Sequence, residues 1–186
     1  MTWKRDLLLS AVLLLAGVLA AFAPLLSREL HSADERLLAR VEQIDDAGTF
    51  LDTLDRPHWR EPLPLAALFL RAQQRTQTGA QPTPFIAVSL ALHFLSSLLL
   101  LSLLRRAGAD AWGTGLVVGV FALHPVQVEN VARLAGQGEL LATAFVLIGL
   151  HLRERKGPFA EFGLLVCLLA GALCAPTGLL LPALVV

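Results

Sequence analysis

Five long blocks without any Asp, Glu, Lys or Arg constrain the fold of this chain more than any other feature. They cover residues 7–26, 76–104, 111–128, 140–152 and 162–186. A helix needs about 20 apolar residues to cross a bilayer, and helices satisfy all of their own backbone hydrogen bonds there. With 55% hydrophobic and 16% charged residues, the sequence predicts an all-α polytopic membrane helix bundle, with the lipid bilayer as its first partner.

We expect one membrane domain over residues 1–186, with five or six membrane elements. An A-x-A triplet at residues 21–23 resembles a signal-peptidase site, but the apolar run is long and Pro24 follows it, so we expect an uncleaved first span. A Pro-Thr-Gly break at residues 176–178 separates the last two elements. The predicted spans lie near residues 7–26, 85–104, 111–128, 138–152, 160–174 and 176–186, with a long external loop over residues 27–84.

Two amphipathic helices are predicted in that loop. A capping box from Ser32 to Glu35 precedes Leu37, Val41 and Ile44 at helical spacing. The second stretch runs from Pro64 to Arg75, and its predicted apolar face consists of Leu65, Leu68, Phe69 and Ala72. Two placements stay open for the second helix: along the membrane surface or packed on the bundle.

Basic residues cluster before the first predicted span, at residues 105–106 and at residues 153–156. The positive-inside rule assigns all three clusters to the cytoplasm, so we expect a cytoplasmic N-terminus, an external loop at 27–84 and residence in a bacterial inner membrane. The formal net charge of zero argues against a nucleic-acid partner.

Three residues inside the apolar blocks have candidate roles in helix packing. Gly115 and Gly119 form a GxxxG pattern, which lets two helices approach closely. His93 lies in an otherwise apolar stretch, where a hydrogen-bonded core histidine is the main interpretation and a haem or chlorophyll ligand the alternative. The sequence predicts no metal site from His or Cys spacing.

A set of polar residues is predicted to meet on the external side. Asp45 and Asp46 follow the first loop helix, and an adjacent acidic pair can bind a divalent cation or act as a general base. Arg56, Glu129 and Arg133 are on the same predicted side. His124 precedes a proline, which ends or kinks a helix, so a capping role is as well supported as a binding role.

Three segments of the chain resemble one family, and they follow one another in the same order as in that family. Residues 121–141 read FALHPVQVENVARLAGQGELL, residues 60–63 read REPL, and residues 90–106 read LALHFLSSLLLLSLLRR. Together they resemble GT-C-fold membrane glycosyltransferases, and within them the tetratricopeptide-containing O-mannosyltransferase-like family. The resemblance implies a polyprenyl-phosphate sugar donor, Asp45 or Asp46 as catalytic base, and Arg56, His124, Glu129 and Arg133 as substrate-binding residues.

The sequence also departs from that family at charged positions. Gln137 stands where the family has an Arg, and residues 174–177 read CAPT in place of Ser-Lys-Glu-Thr. The chain also ends after about six predicted membrane elements, fewer than the enzymes have. These departures favour a non-catalytic module, an accessory or structural subunit docked among other membrane subunits, for example of a respiratory or photosynthetic complex. The alternative is an active transferase with an external site.

Overall fold

Helices make up the architecture throughout the part of the chain that the computed structural model describes, residues 2–44, 64–77 and 81–180, with side chains from Leu9 onward. No strand occurs within these ranges. The described residues form eight α-helices and three short 3₁₀ helices, Ala23–Ser27, Leu134–Gly136 and Pro176–Leu179. The α-helices are α1 (Thr2–Phe22), α2 (Ser32–Glu42), α3 (Pro64–Arg75), α4 (Pro82–Arg106), α5 (Ala111–Leu123), α6 (Val126–Ala132), α7 (Gln137–Arg153) and α8 (Pro158–Cys174).

Among the described residues, three stretches are long and apolar enough to cross a membrane: Leu9–Ser27, Pro82–Arg106 and Leu134–Arg153. Helices α5 and α6 count as a fourth if the pair, bent by 52°, is one span. Helix α8 is apolar but has 17 residues, and the described part of the predicted last span is only the 3₁₀ helix Pro176–Leu179. The chain is thus consistent with an integral membrane protein, while the count of five or six membrane elements stays a prediction.

The helices bring the described loops to two opposite ends of the bundle. Arg106 of α4 and Glu154, which follows α7, form an ion pair at 3.7 Å, so residues 105–110 and 153–161 lie together; we call this the basic end. Gly138 in the first turn of α7 packs against the last residues of α8. We call this opposite end, which carries α2, α3 and α6, the polar end.

Helix α2 packs against α3 through Leu37, Val41 and Leu70, which are all buried. The predicted amphipathic helix is therefore present, but its N-cap is His31 and not Ser32. The His31 Nδ1 atom accepts a hydrogen bond from Ala33 N at 3.4 Å, and this makes Ser32 the first helical residue.

Helix α3 has the predicted bounds, and part of its predicted apolar face packs on the core, because Leu65 and Phe69 are partly buried there. Ala66, Ala67, Leu70 and Gln73 are buried, whereas Leu68 and Ala72 of the predicted face are exposed. The small Ala66 side chain lies where α3 meets the start of α7: a Cβ atom on Gly138 would be 3.3 Å from Ala66 Cβ. Helix α3 therefore packs on the bundle, and the small Ala66 side chain allows it to approach α7 closely.

Close helix contacts do not occur at the predicted glycine pair. A Cβ atom added at Gly115 or Gly119 would meet no atom of the described residues within 4 Å. The close approach lies instead where α8 turns into Pro176–Leu179: a Cβ atom on Gly178 would overlap the Gly171 backbone. Within the described chain Gly115 and Gly119 therefore line open space, and a contact of theirs with another polypeptide stays a prediction.

His93 joins three helices in the centre of the bundle. It is fully buried, and its Nε2 atom donates a hydrogen bond to the Ala122 carbonyl oxygen at 2.9 Å. The rings of Phe22 and Phe121 lie on either side, each with its centroid 5.6 Å from the imidazole. The side chain thus ties α4 to α1 and α5.

Candidate functional site

The turn between α5 and α6 is built by His124 and Pro125. His124 has an extended backbone (φ −64°, ψ 134°), as expected for a residue before proline. Its Nδ1 atom accepts a hydrogen bond from Val126 N at 3.2 Å. The exposed His124 side chain therefore caps α6, and the backbone bends by 52° at this point.

Helix α6 presents a single ion pair to the surroundings. Arg133 Nη1 donates to Glu129 Oε1 at 2.6 Å, with half of the Arg133 side chain and 69% of the Glu129 side chain exposed. Exposed pairs of this kind contribute less than about 1 kcal/mol. The two side chains can therefore separate at little cost when a charged ligand competes for either of them.

Two hydrogen bonds fix the segment that contains Arg28 and the start of α2 onto the end of α6. The Arg28 Nη1 atom donates to the Ala132 carbonyl oxygen at 3.1 Å. The buried Asp34 carboxylate accepts a hydrogen bond from Leu134 N at 3.1 Å. Because a carboxylate acceptor makes a strong bond to a backbone N–H, the first turn of α2 is held beside Arg133.

The end of α2 is anchored just before the acidic pair. Ile44 is buried, and its carbonyl oxygen accepts a hydrogen bond from Arg71 Nε of α3 at 3.0 Å. Asp45, Asp46 and Arg56 lie outside the described residues. The structure therefore places Ile44, the residue before the acidic pair, at the same end of the bundle as Glu129 and Arg133.

A buried amide cluster closes the bundle beneath these residues. Gln137 and Gln73 face each other, with Gln73 Nε2 donating to Gln137 Oε1 at 2.7 Å. The Gln137 amide nitrogen also donates to the Phe85 carbonyl oxygen at 2.9 Å and to Ser89 Oγ at 3.1 Å. Gln137 is fully buried, and these bonds join α7 to α3 and α4.

The segment at residues 174–177 also reaches the polar end. The Thr177 hydroxyl donates a hydrogen bond to the Glu139 carboxylate. A Cβ atom on Gly138 would stand only 2.7 Å from the Cys174 carbonyl oxygen. Both segments that depart from the family pattern thus meet at the first turn of α7.

Sequence reasoning missed Arg28, Asp34 and Gln73 as parts of this region. In the sequence Asp34 is only the first of two acidic residues at a helix start, and Gln73 only part of the polar end of an amphipathic helix. Their partners lie 64 to 104 residues away. Among the described residues, no group of three or more His, Cys, Asp or Glu side chains is placed to hold a metal ion.

The comparisons with known proteins fit a helical membrane protein of glycosyltransferase ancestry. No family model matches the chain, and no solved structure does. A stretch of 131 residues, 65% of the chain, is 30% identical to the protein O-mannosyl-transferase Tmtc2 of Drosophila melanogaster. The chain is thus distantly related to that O-mannosyltransferase, and the match spans 14% of that protein's length.

Proposed function

We propose that the chain is a GT-C-type membrane glycosyltransferase module that transfers a sugar from a polyprenyl phosphate to a hydroxyl acceptor at its polar end. The observation that carries the proposal is the anchoring of α2. Arg28 and Asp34 fasten its start to the end of α6 next to Arg133, and Arg71 holds the carbonyl oxygen of Ile44, two residues after the end of α2. The relationship to an O-mannosyltransferase supports mannose as the sugar.

In this proposal Asp45 or Asp46 accepts the proton of the acceptor hydroxyl. The hydroxyl oxygen attacks the anomeric carbon of the sugar at the same time. The bond from that carbon to the phosphate oxygen breaks, and the polyprenyl phosphate leaves with the electron pair. Arg133 exchanges Glu129 for the departing phosphate, since an arginine guanidinium binds phosphate oxygens with two parallel hydrogen bonds. Arg56 and His124 contribute to the donor site, and a divalent cation at Asp45 and Asp46 would supply further positive charge.

The test measures mannose transfer from polyprenyl-phosphate-mannose by the full chain in lipid nanodiscs, with a peptide rich in Ser and Thr as acceptor. We expect Asp45→Asn or Asp46→Asn to lower the rate by about 10²–10⁴-fold, the usual contribution of a general base. Arg133→Gln should weaken donor binding. Glu161→Gln, an exposed acidic residue at the basic end, is the matched control and should leave transfer unchanged.

A non-catalytic docking module is the second candidate, and Gln137 favours it. This residue is fully buried and bonded to three partners, so it offers no charge to a phosphate. In that case both Asn variants would behave as the parent chain, with no transfer in any of them. Co-purification with other membrane proteins would then depend on substitutions of lipid-facing apolar residues such as Leu116 and Phe159, which are 69% and 92% exposed.

A further inference from the structure

Arg133 lies at the junction between α6 and the 3₁₀ helix Leu134–Gly136. Its backbone there is extended (φ −102°, ψ 136°). Its N–H group donates to the Glu129 carbonyl oxygen at 3.1 Å, and its carbonyl oxygen accepts a hydrogen bond from Gly136 N at 3.0 Å. Both backbone polar groups of Arg133 are therefore hydrogen-bonded within the polar end.

The peptide groups on either side of Arg133 are held by two charged side chains of one distant segment. The Ala132 carbonyl oxygen accepts from Arg28 Nη1, and Leu134 N donates to Asp34 Oδ1, both at 3.1 Å. These partners are 104 and 100 residues apart in the sequence. The segment from Arg28 to Asp34 thus fixes the backbone before and after Arg133.

The two side chains hold the backbone more firmly than a simple closure of the bundle requires. A neutral amide or hydroxyl could satisfy either peptide group, whereas hydrogen bonds from ionised groups are roughly twice as strong. Asp34 is only 4% exposed, and burying a carboxylate costs free energy unless it is hydrogen-bonded. The use of charged groups at this point indicates a function for the rigid backbone around Arg133.

The Arg133 side chain is less constrained than its backbone. Half of it is exposed, and its partner among the described residues is Glu129, itself 69% exposed. That contact runs through the Nη1 atom, one of the groups that give a guanidinium its five N–H donors. A binding group loses less conformational freedom on binding when its support is already fixed. A fixed backbone below an exposed guanidinium is therefore a preorganised arrangement for binding an anion.

We propose that Arg28 and Asp34 are positioning residues for Arg133. They hold the peptide groups on both sides of it, so that its guanidinium meets the phosphate of the polyprenyl donor. Neither residue contacts the donor in this account, and both act through Arg133. The inference rests on the proposed function, because it takes Arg133 as the residue that binds the donor phosphate.

The experiment is native mass spectrometry of the detergent-purified full chain, titrated with undecaprenyl phosphate and with undecaprenol. The ratio of the two dissociation constants measures the preference for the phosphate, which Arg133→Gln should remove. Arg28→Met and Asp34→Leu should each lower the preference about fivefold, because each variant loses one hydrogen bond beside Arg133. Asp34→Asn should lower it only about twofold, since an amide oxygen accepts the same bond without the charge. Arg28 is only half-buried, so Arg28→Met keeps the test open if Asp34→Leu does not fold.

A double variant separates positioning from general support of the fold. Arg28→Met combined with Arg133→Gln should show the same preference as Arg133→Gln alone, since a positioning residue has nothing left to act on. Arg36→Met is the matched control: Arg36 Nε donates to the Ser32 carbonyl oxygen at 3.1 Å, within α2. Asp110→Leu is the control for Asp34, because the Asp110 carboxylate accepts from Gly113 N at 3.3 Å at the basic end. Both controls should change the preference less than about twofold.

Equal effects of Arg28→Met and Arg36→Met would overturn the positioning role. So would an equal loss of affinity for both lipids, or a parent chain without preference for the phosphate. If that parent chain still transfers mannose, the proposed function survives these outcomes. The opposite result, in which the preference responds as expected but no mannose is transferred, would support the positioning role and overturn the proposed function.

Discussion

At the scale of single residues, the polar end is held together by a few buried polar side chains in an apolar bundle. Asp34 accepts one backbone N–H, and Gln137 bonds to Gln73, Phe85 and Ser89. Because these side chains are buried and each has a partner, these bonds specify one packing of the helices. The residues that a catalytic site would need are thereby given a fixed support.

Replacing Gln137 with Leu should destabilise the chain by about 1–3 kcal/mol, because it leaves the buried Gln73 amide without its partner. The measurement is the melting temperature in one defined detergent. Gln43→Leu is the control, since Gln43 is exposed at the end of α2, and it should have little effect. The double variant Gln73→Leu/Gln137→Leu should recover part of the loss. An unchanged melting temperature for Gln137→Leu would mean that the amide cluster does not support the fold.

The Gln137 cluster also shows what a sequence can reveal at this scale. The replacement of an expected Arg marks position 137 as unusual, because the resemblance supplies a pattern to compare with. The pairing with Gln73 is not predictable in the same way. It joins residues 64 positions apart, and it depends on how α3 lies on the bundle, which no local periodicity encodes.

At the scale of helices, backbones approach closely at the first turn of α7 and at the end of α8. Gly138 contacts the Cys174 carbonyl oxygen and Ala66, and Gly171 contacts Gly178. Small residues allow backbones to approach in membranes, where dispersion contacts replace the hydrophobic effect as the main attraction. The contact of α7 with α8 is therefore sensitive to added volume.

Gly138→Ala should lower stability by about 1–3 kcal/mol, the usual cost of overpacking. The new methyl group would lie 2.7 Å from a backbone oxygen that cannot move aside as a side chain can. Gly115→Ala is the matched control: it adds the same group on a helix, in open space. Unfolding in increasing denaturant should separate the two. Equal stability of both variants would contradict the close approach at Gly138.

The bounds of a helix are easier to predict from the sequence than the face that it buries. The bounds of α3 follow from Pro64 at its start and the polar run at its end. Its buried face is Ala66, Ala67, Leu70 and Gln73, whereas the larger Leu68 faces outward. Hydrophobicity alone finds only part of the buried face: Leu65 and Phe69 pack on the core as predicted, while the close contact with α7 selects the small Ala66. The GxxxG pattern at Gly115 and Gly119 does not predict a contact within the described chain, because small residues permit a close approach but do not require one.

At the scale of the whole molecule, the two ends differ in charge and in structure. The basic end consists of short turns rich in Lys and Arg, while the polar end carries α2, α3 and the bent α5–α6 pair. The sequence already shows that Lys and Arg cluster on alternate loops. The Arg106–Glu154 contact places two of these loops side by side, as an alternating topology requires.

This arrangement predicts that the two ends react from opposite sides of the membrane. A cysteine replacing Ala107 is exposed at the basic end, and one replacing Glu35 is exposed at the polar end. Since Lys and Arg on short loops are retained in the cytoplasm, an impermeant maleimide applied to intact cells should label Glu35→Cys at once and Ala107→Cys only after permeabilisation. The parent chain is the control, because Cys167 and Cys174 are buried and should stay unlabelled in both conditions.

Labelling of Ala107→Cys alone in intact cells would reverse the orientation and move the proposed transfer site to the cytoplasm. Labelling of both variants from one side would contradict the two-ended bundle itself.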